Sequence, residues 1–309
     1  MKYMIYKFDF LAGVHFGNGS LTEVNNTFYA DTLFSALCIE AAKMNNDYLD
    51  KLCDYVKSGR LLFSDGFPYI GDMFYLPKPI KKVDKTDDRN QKEKKAFKKM
   101  EYIPANKLDD YFKGSLSAGD ESKYLNSKLG NYVMKTSAVV KEGEDTVPFH
   151  VQYYRFAENA GLYIILSYDD EEVRGIFDEL IEGLSYSGIG GERSSGYGRF
   201  EIKVSKMPDY ILNRLVNSSK ISMLLSVSLP TNDEMESVMK DADYVLLKRS
   251  GFAVSDKYNE IQRRKRDIFM FKSGSCFSER YCGDVYDVRT NEEHAVYKYG
   301  KALWLGVDV

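Results

Sequence analysis

Between Gly188 and Arg199 the chain carries five glycines, two serines and two arginines. Glycine admits positive φ and close backbone approach, and consecutive exposed N–H groups can form a concave anion site. The hydroxyls of Ser194 and Ser195 can bond phosphate oxygens, and Arg193 and Arg199 add charge-assisted contacts. The chemistry is that of a phosphate cradle, with Gly188, Gly190, Gly191 and Gly196 shaping the backbone and Tyr197 offering a ring for a base. A P-loop and a dinucleotide-binding fingerprint both require strand, loop, helix. Here no Gly-Lys-Ser/Thr occurs, and the loop follows a helix and precedes a strand. A glycine-rich hairpin without a ligand is the plain alternative.

Other residues of chemical interest are scattered. His15 lies between Gly13 and Gly17, in a loop that also holds Asn18. It suits RNA stacking or hydrogen bonding, and equally a partly buried loop position. Tyr197 fits a strand-edge core position as well as a base platform. Asp31 reads as a helix cap before it reads as an acid–base group. Lys248 and Arg249 supply charge, and the run Arg263 to Arg266 is either a solvated loop or an RNA or partner contact. His150 and His294 suit packing or local hydrogen bonds. Cys38, Cys53, Cys276 and Cys282 show no Cys-x2-Cys pair, so neither a metal site nor a disulfide framework is expected. No cofactor is expected.

The elements that must position these residues follow from periodicity. Tyr3–Leu11 is apolar in strand fashion, and Leu33, Phe34, Leu37, Cys38 and Ala41 have helical spacing. Leu61–Leu76 is strand and turn material. Thr136–Val140 and Val147–Phe156 form a hairpin by spacing and turn chemistry. Leu162–Tyr168 is a strand, Glu171–Tyr186 an amphipathic helix, and Phe200–Val204 a last strand. Apart from insertions the order is β-α-β … β-α-β, the ferredoxin-like plan. The lysine-rich stretch 78–113 reads as a flexible surface insertion or an electrostatic arm. A boundary falls near Met207-Pro208-Asp209. Beyond it, strands at 221–229, 244–248, 267–271 and 296–307 with a helix at 233–241 suggest a degenerate second copy.

The glycine loop at 188–198 resembles that of the RAMP superfamily, the RNA-binding subunits of CRISPR effector complexes. The opening of helix one (Tyr29 to Leu37), the hairpin at 136–156 and the run Tyr297 to Gly306, with Lys248 to Phe252 upstream, narrow the resemblance. Together they are similar to the fourth-subunit family of type III-A (Csm) CRISPR interference complexes, over nearly the whole chain except the lysine-rich insertion. The resemblance implies an α+β fold of two ferredoxin-like (RRM-like) domains with a projecting β-hairpin thumb. Domain one spans 1–206, with an insertion at 78–134 and the thumb at 136–156; domain two spans 207–309. It implies no catalysis, a clamp on the 5′ repeat-derived handle of the guide RNA, and docking to the large polymerase-like subunit and a backbone RAMP subunit. Val139, Val140, Val147 and Phe149 are then the apolar side chains of a thumb that displaces a base. A single-stranded handle offers phosphates and splayed bases, which nests, cations and aromatic rings suit.

Composition is compatible with that role. The 309 residues are 44% hydrophobic and 14% aromatic with a formal net charge of −3. A free nucleic-acid binder usually carries a basic excess; its absence here points to local basic patches or to faces that meet proteins. No run of about 18 apolar residues and no cleavable signal pattern occurs, so a cytoplasmic protein without membrane partners is expected. A metal-independent endoribonuclease of the same superfamily is the main alternative, with His15 as base and Lys135 or Tyr197 assisting. A two-metal cyclase is the third, disfavoured because no Asp pair sits at a convincing strand turn.

Overall fold

The computed structural model describes residues 1–81, 91–139, 147–253, 263–290 and 295–307. The N-terminal half runs β1 (Lys2–Phe10), β2 (Phe16–Ser20), β3 (Glu23–Asn25), α1 (Ala30–Met44), α2 (Asn46–Lys57), β4 (Leu61–Phe63), β5 (Phe67–Ile70) and β6 (Met73–Pro77). It continues with α3 (Gln91–Lys99), β7 (Tyr102–Pro104), α4 (Leu108–Phe112), α5 (Ala118–Leu129), β8 (Gly130–Val139), β9 (Val147–Phe156), β10 (Ala160–Tyr168), α6 (Glu171–Ser187) and β11 (Phe200–Lys206). One sheet has the order β11-β1-β10-β5-β6-β7, with β4 also pairing β10. Every described pairing in it is antiparallel.

Side-chain alternation decides what each face of this sheet covers. Tyr6 and Phe8 of β1, with Leu162, Ile164 and Leu166 of β10, join the apolar stripes of α1 and α6 in one core. Ile5, Tyr163 and Ile165 point the other way, into a second core shared with the C-terminal half. All nine residues of β10 are therefore buried, and the strand reads as an unbroken apolar run. Helix α6 begins where the Asp170 carboxylate accepts the Val173 N–H at 3.0 Å. Its last turn closes at Gly188, whose N–H donates to the Leu184 carbonyl at 2.7 Å and whose φ of 79° turns the following chain out of the helix.

Three expectations change. Asp31 does not cap α1: Tyr29 is the capping residue and makes no side-chain cap bond, while Asp65 Oδ1 accepts the Ala30 N–H at 2.7 Å. The lysine-rich insertion is structured through 91–134, because Met100, Ile103, Leu108, Tyr111, Leu116, Leu125 and Leu129 are all buried; interspersed lysines hide that core from a periodicity reading. The strands expected for a degenerate second copy do not join in a single sheet among the described residues. Beyond α7 (Asp209–Val216), β12 (Ser222–Leu224) and α8 (Asn232–Val238), the strands are short: β13 (Leu246–Arg249), β14 (Phe252–Ala253), β15 (Arg263–Arg264), β16 (Ile268–Phe271), β17 (Cys276–Phe277), β18 (Val285–Asp287), β19 (Tyr297–Tyr299) and β20 (Trp304–Gly306). They form a sheet β17-β12-β20 and separate two-stranded ribbons.

The expected hairpin is present and longer than its pattern suggested. β8 pairs with β9 from Gly130↔Phe156 to Val139↔Val147, in a sheet of its own. Its base is tied down by reciprocal bonds between Val14 and Tyr154 (2.8 and 2.9 Å) and by Gln152 N–H to the Leu21 carbonyl.

Candidate nucleic-acid interface

The glycine loop connects α6 to β11 and folds back on the β1–β2 connection. Gly190, Gly196 and Gly198 have φ of 99°, 88° and 77°, and Glu192 sits in the left-handed region at 56°. Gly191 N–H donates to the His15 carbonyl (2.8 Å) and Gly198 N–H to the Gly13 carbonyl (2.9 Å). The glycines thus serve first to seat the loop. A Cβ on Gly190 would lie 2.8 Å from the His15 carbonyl oxygen, one on Gly191 2.9 Å from the His15 ring, and one on Gly198 2.1 Å from the Ile189 carbonyl oxygen. Gly196 has nothing within 4 Å. Among the described residues the N–H groups of Gly190, Glu192, Arg193 and Ser194 make no hydrogen bond within the protein. Ser194, Ser195 and Arg199 are exposed and Arg193 is half-buried.

The loop forms one wall of a cleft of about 730 Å³. His15 and Gly17 border it on the same side, α1 supplies Thr32, Ser35 and Ile39, and the C-terminal half closes it with Phe252, Lys265 and Tyr297. His15 is only 6% exposed, and its Nδ1 bonds the Gln152 carbonyl at 2.8 Å. That bond makes Nδ1 the donor and, in neutral imidazole, leaves Nε2 as an acceptor. Tyr197 packs against the Tyr153 ring at 5.0 Å, so one of its faces is already occupied by protein.

Under the cleft lies a buried ion cluster. Asp31, 1% exposed, accepts a forked pair from Arg249 (2.9 and 2.8 Å) and a third bond from Lys298 Nζ (2.7 Å). Burial alone would raise the Asp31 carboxyl; the Arg249 guanidinium and Lys298 ammonium overcome this and hold it well below the usual carboxylate range. Arg249 also bonds Thr32 Oγ1 (3.1 Å) and lies over the Tyr29 ring at 4.5 Å. Arg249 is therefore spent on fixing α1 to the C-terminal half, with only an edge on the cleft. Lys248 turns to the opposite face of β13, where it pairs with Asp267 at 2.8 Å; strand alternation separates the two neighbours.

The basic run also divides. Arg264 pairs with Asp267, and Arg266 donates to the Asp287 carbonyl. Among the described side chains of the run, only Lys265 enters the cleft. Burial, with the Lys298 ammonium nearby, lowers its pKa below the ordinary lysine value, and it has no ion-pair partner among the described residues. The sequence offered the run as a possible RNA or partner contact but did not separate Lys265 from its neighbours, and it did not bring Lys265, Tyr29, Phe252 and Tyr297 together, because the cleft walls come from segments more than 200 residues apart.

On the hairpin, Val147 is 65% exposed and Phe149 half-buried. Tyr132 and Met134, 52% and 50% exposed, were not singled out by pattern. Val140 lies outside the described residues, as do His294 and the side chains of Asn18, Val139 and Arg263. His150 bonds Thr136 Oγ1 at 3.1 Å. Among the described residues no cluster of His, Cys, Asp or Glu could hold a metal ion, and no helix is long and apolar enough to cross a membrane.

Known proteins share this chain's pattern. The family model for the CRISPR Csm4 C-terminal domain matches residues 217–307. A CRISPR system Cms protein Csm4 from Mycobacterium tuberculosis (strain H37Rv) is 35% identical over 308 residues, covering 99% of this chain and 98% of the relative. One from Streptococcus thermophilus is 34% identical over the full length of both chains (100% and 100%). Among solved structures, the Csm3–Csm4 subcomplex of the type III-A CRISPR-Cas interference complex contains a chain that superposes with a TM-score of 0.68 at 18% identity, covering 99% of both. The Csm1–Csm4 cassette with AMPPNP gives 0.63 at 20%, covering 99% and 98%.

Proposed function

The chain belongs to the Csm4 family, and from that premise we propose that it is a non-catalytic subunit of a type III-A CRISPR effector that clamps the 5′ repeat-derived handle of the guide RNA. One observation carries this reading: the cleft brings a glycine loop with inward-seated backbone, Arg193 and Lys265 to the same space as the apolar walls Ile39, Phe252 and Tyr297. Cations and free N–H groups suit phosphates, and the apolar walls suit a splayed base. The guide's own pairing would supply target specificity.

The same proposal extends to architecture and partners. The strand order β11-β1-β10-β4, with α1 and α6 on one face, supports a ferredoxin-like domain at 1–206, and 207–309 is its degenerate companion. The β8–β9 hairpin is the thumb, with Val139, Val140, Val147 and Phe149, and here also Tyr132 and Met134, as the residues that meet a base step. The large subunit and a backbone subunit, corresponding to Csm1 and Csm3 in the related complexes, are its protein partners, in the cytoplasm.

Crosslinking handle-bearing guide RNA to the reconstituted complex tests this, with a cleavage assay on the lone subunit. Adducts at 188–199, Lys265 and the hairpin without cleavage are expected. Cleavage that His15→Ala abolishes while RNA binding persists would make the protein a processing endoribonuclease instead.

A further inference from the structure

The lysine-rich helix α3 lies far from the cleft in sequence and is not used by the clamp. Its sequence, Gln91 to Lys99, holds five lysines and one acid, +4 within a chain whose net charge is −3. At 3.6 residues per turn, Lys94, Lys98, Lys95, Lys99 and Lys92 fall on one arc of about 160°, with Glu93 and Phe97 opposite. The anchoring side is fully engaged. Glu93 Oε1 accepts the N–H groups of Ala118 and Gly119 at the start of α5, and Phe97 stacks on Tyr111 at 5.0 Å and 8°. Lys78 Nζ donates to the Phe97 and Lys98 carbonyls (2.8 and 3.3 Å), so the helix's C-terminal acceptors do not need its own lysines.

The opposite side is left charged. Lys92, Lys95, Lys98 and Lys99 are exposed, and none has an ion-pair partner among the described residues. Lys92/Lys95, Lys94/Lys98, Lys95/Lys98 and Lys95/Lys99 sit at i,i+3 or i,i+4, where like charges destabilise a helix. An ordinary solvated face interleaves acids with bases; this one has none. No aromatic side chain lies on the arc, so it suits phosphates rather than bases.

We propose that the lysine arc of α3 is a second, sequence-independent RNA contact, binding the phosphate backbone of a single strand that runs past the thumb. α3 packs on α5, which leads directly into β8 at Gly130; twelve residues of α5 span about 18 Å, a distance a few nucleotides bridge. The inference rests on the reading of the chain as a guide-RNA clamp only for the identity of the strand.

The test uses the reconstituted complex carrying Lys92→Gln, Lys95→Gln, Lys98→Gln and Lys99→Gln together, beside a Gly196→Val complex. The probes are handle-bearing guide RNA alone, and the guide paired to a complementary RNA extended beyond the handle. In the wild type, photocrosslinks to 91–99 are expected; adducts with guide alone assign the guide strand, and adducts only with the extended RNA assign the target strand. The four-lysine variant should keep its melting temperature and its adducts at 188–199. Its salt slope should fall by about 3, so that between 50 and 200 mM salt the wild type loses about fifty-fold more affinity than the variant. An unchanged slope with no adducts at 91–99 overturns the proposal. So does loss of the large subunit with RNA contacts intact, which would make the arc a protein-docking face. Adducts at 91–99 without any at 188–199 would instead uphold the arc and sink the cleft reading.

Discussion

Two buried aspartates separated by 34 residues respond to pH in opposite directions. Asp31 is held low by Arg249 and Lys298, so it contributes stability that is present above the ordinary carboxylate range and lost as pH falls. Asp65 is pushed up to about 6 by burial, although the N–H groups of Val227 and Ala30 oppose the shift. A raised carboxyl means the native state binds more protons than the unfolded one between about pH 4 and 6, so stability falls as pH rises through that window. Asp65→Asn keeps an oxygen for both N–H donors and removes the buried charge. Denaturant unfolding should show it about 1–2 kcal/mol more stable at pH 7.5, with that gain gone by pH 4. Asp31→Ala strands two buried cations and should cost about 3–5 kcal/mol at neutral pH. A loss below about 1 kcal/mol would mean the cluster is solvated.

At the scale of elements, the glycine loop separates positions that shape the fold from one that does not. Gly198→Ala sets a Cβ against the Ile189 carbonyl and should cost several kcal/mol. Gly196→Ala meets open space and should cost about 1 kcal/mol, from its positive φ alone. Circular dichroism melts rank the two. Gly190 and Gly191 belong with Gly198, so valine at either would damage the seat against His15 before it reported on RNA; only Gly196 isolates the ligand. Much of this loop was legible beforehand because helix, loop and strand are adjacent in sequence. The strand at 162–168 and the helix at 171–186 were legible for the same reason: each is a continuous, strongly patterned apolar segment, and both are present as Ala160–Tyr168 and Glu171–Ser187. Asp31 was not, because its partners lie 218 and 267 residues away and a local cap was the only role its neighbours suggested. The buried residues of 100–129 were diluted by lysines, and β13 to β20 are too short to carry a period.

For the whole molecule, the two halves are joined by more than a linker. Ile5 and Ile165 of the large sheet share a core with Met223, Leu225 and Leu305. Tyr299 stacks on Phe63 at 4.5 Å and exchanges bonds with its N–H and carbonyl at 3.2 Å. Such a seam is expected to couple the unfolding of the two halves. Leu305→Ala should lower a single unfolding transition by about 2–5 kcal/mol without splitting it; two calorimetric transitions would mean that the halves fold independently. The same unity bears on affinity. The cleft closes only when both halves are in place, yet the chain as a whole is slightly acidic, so long-range attraction for RNA would be weak and the proposed binding would depend on local cations. The isolated subunit should therefore bind handle RNA weakly and lose that binding readily with added salt, gaining affinity inside the assembled complex. Tight binding by the free protein that survives 0.5 M salt would show that apolar capture of bases in the cleft, rather than phosphate contact, dominates.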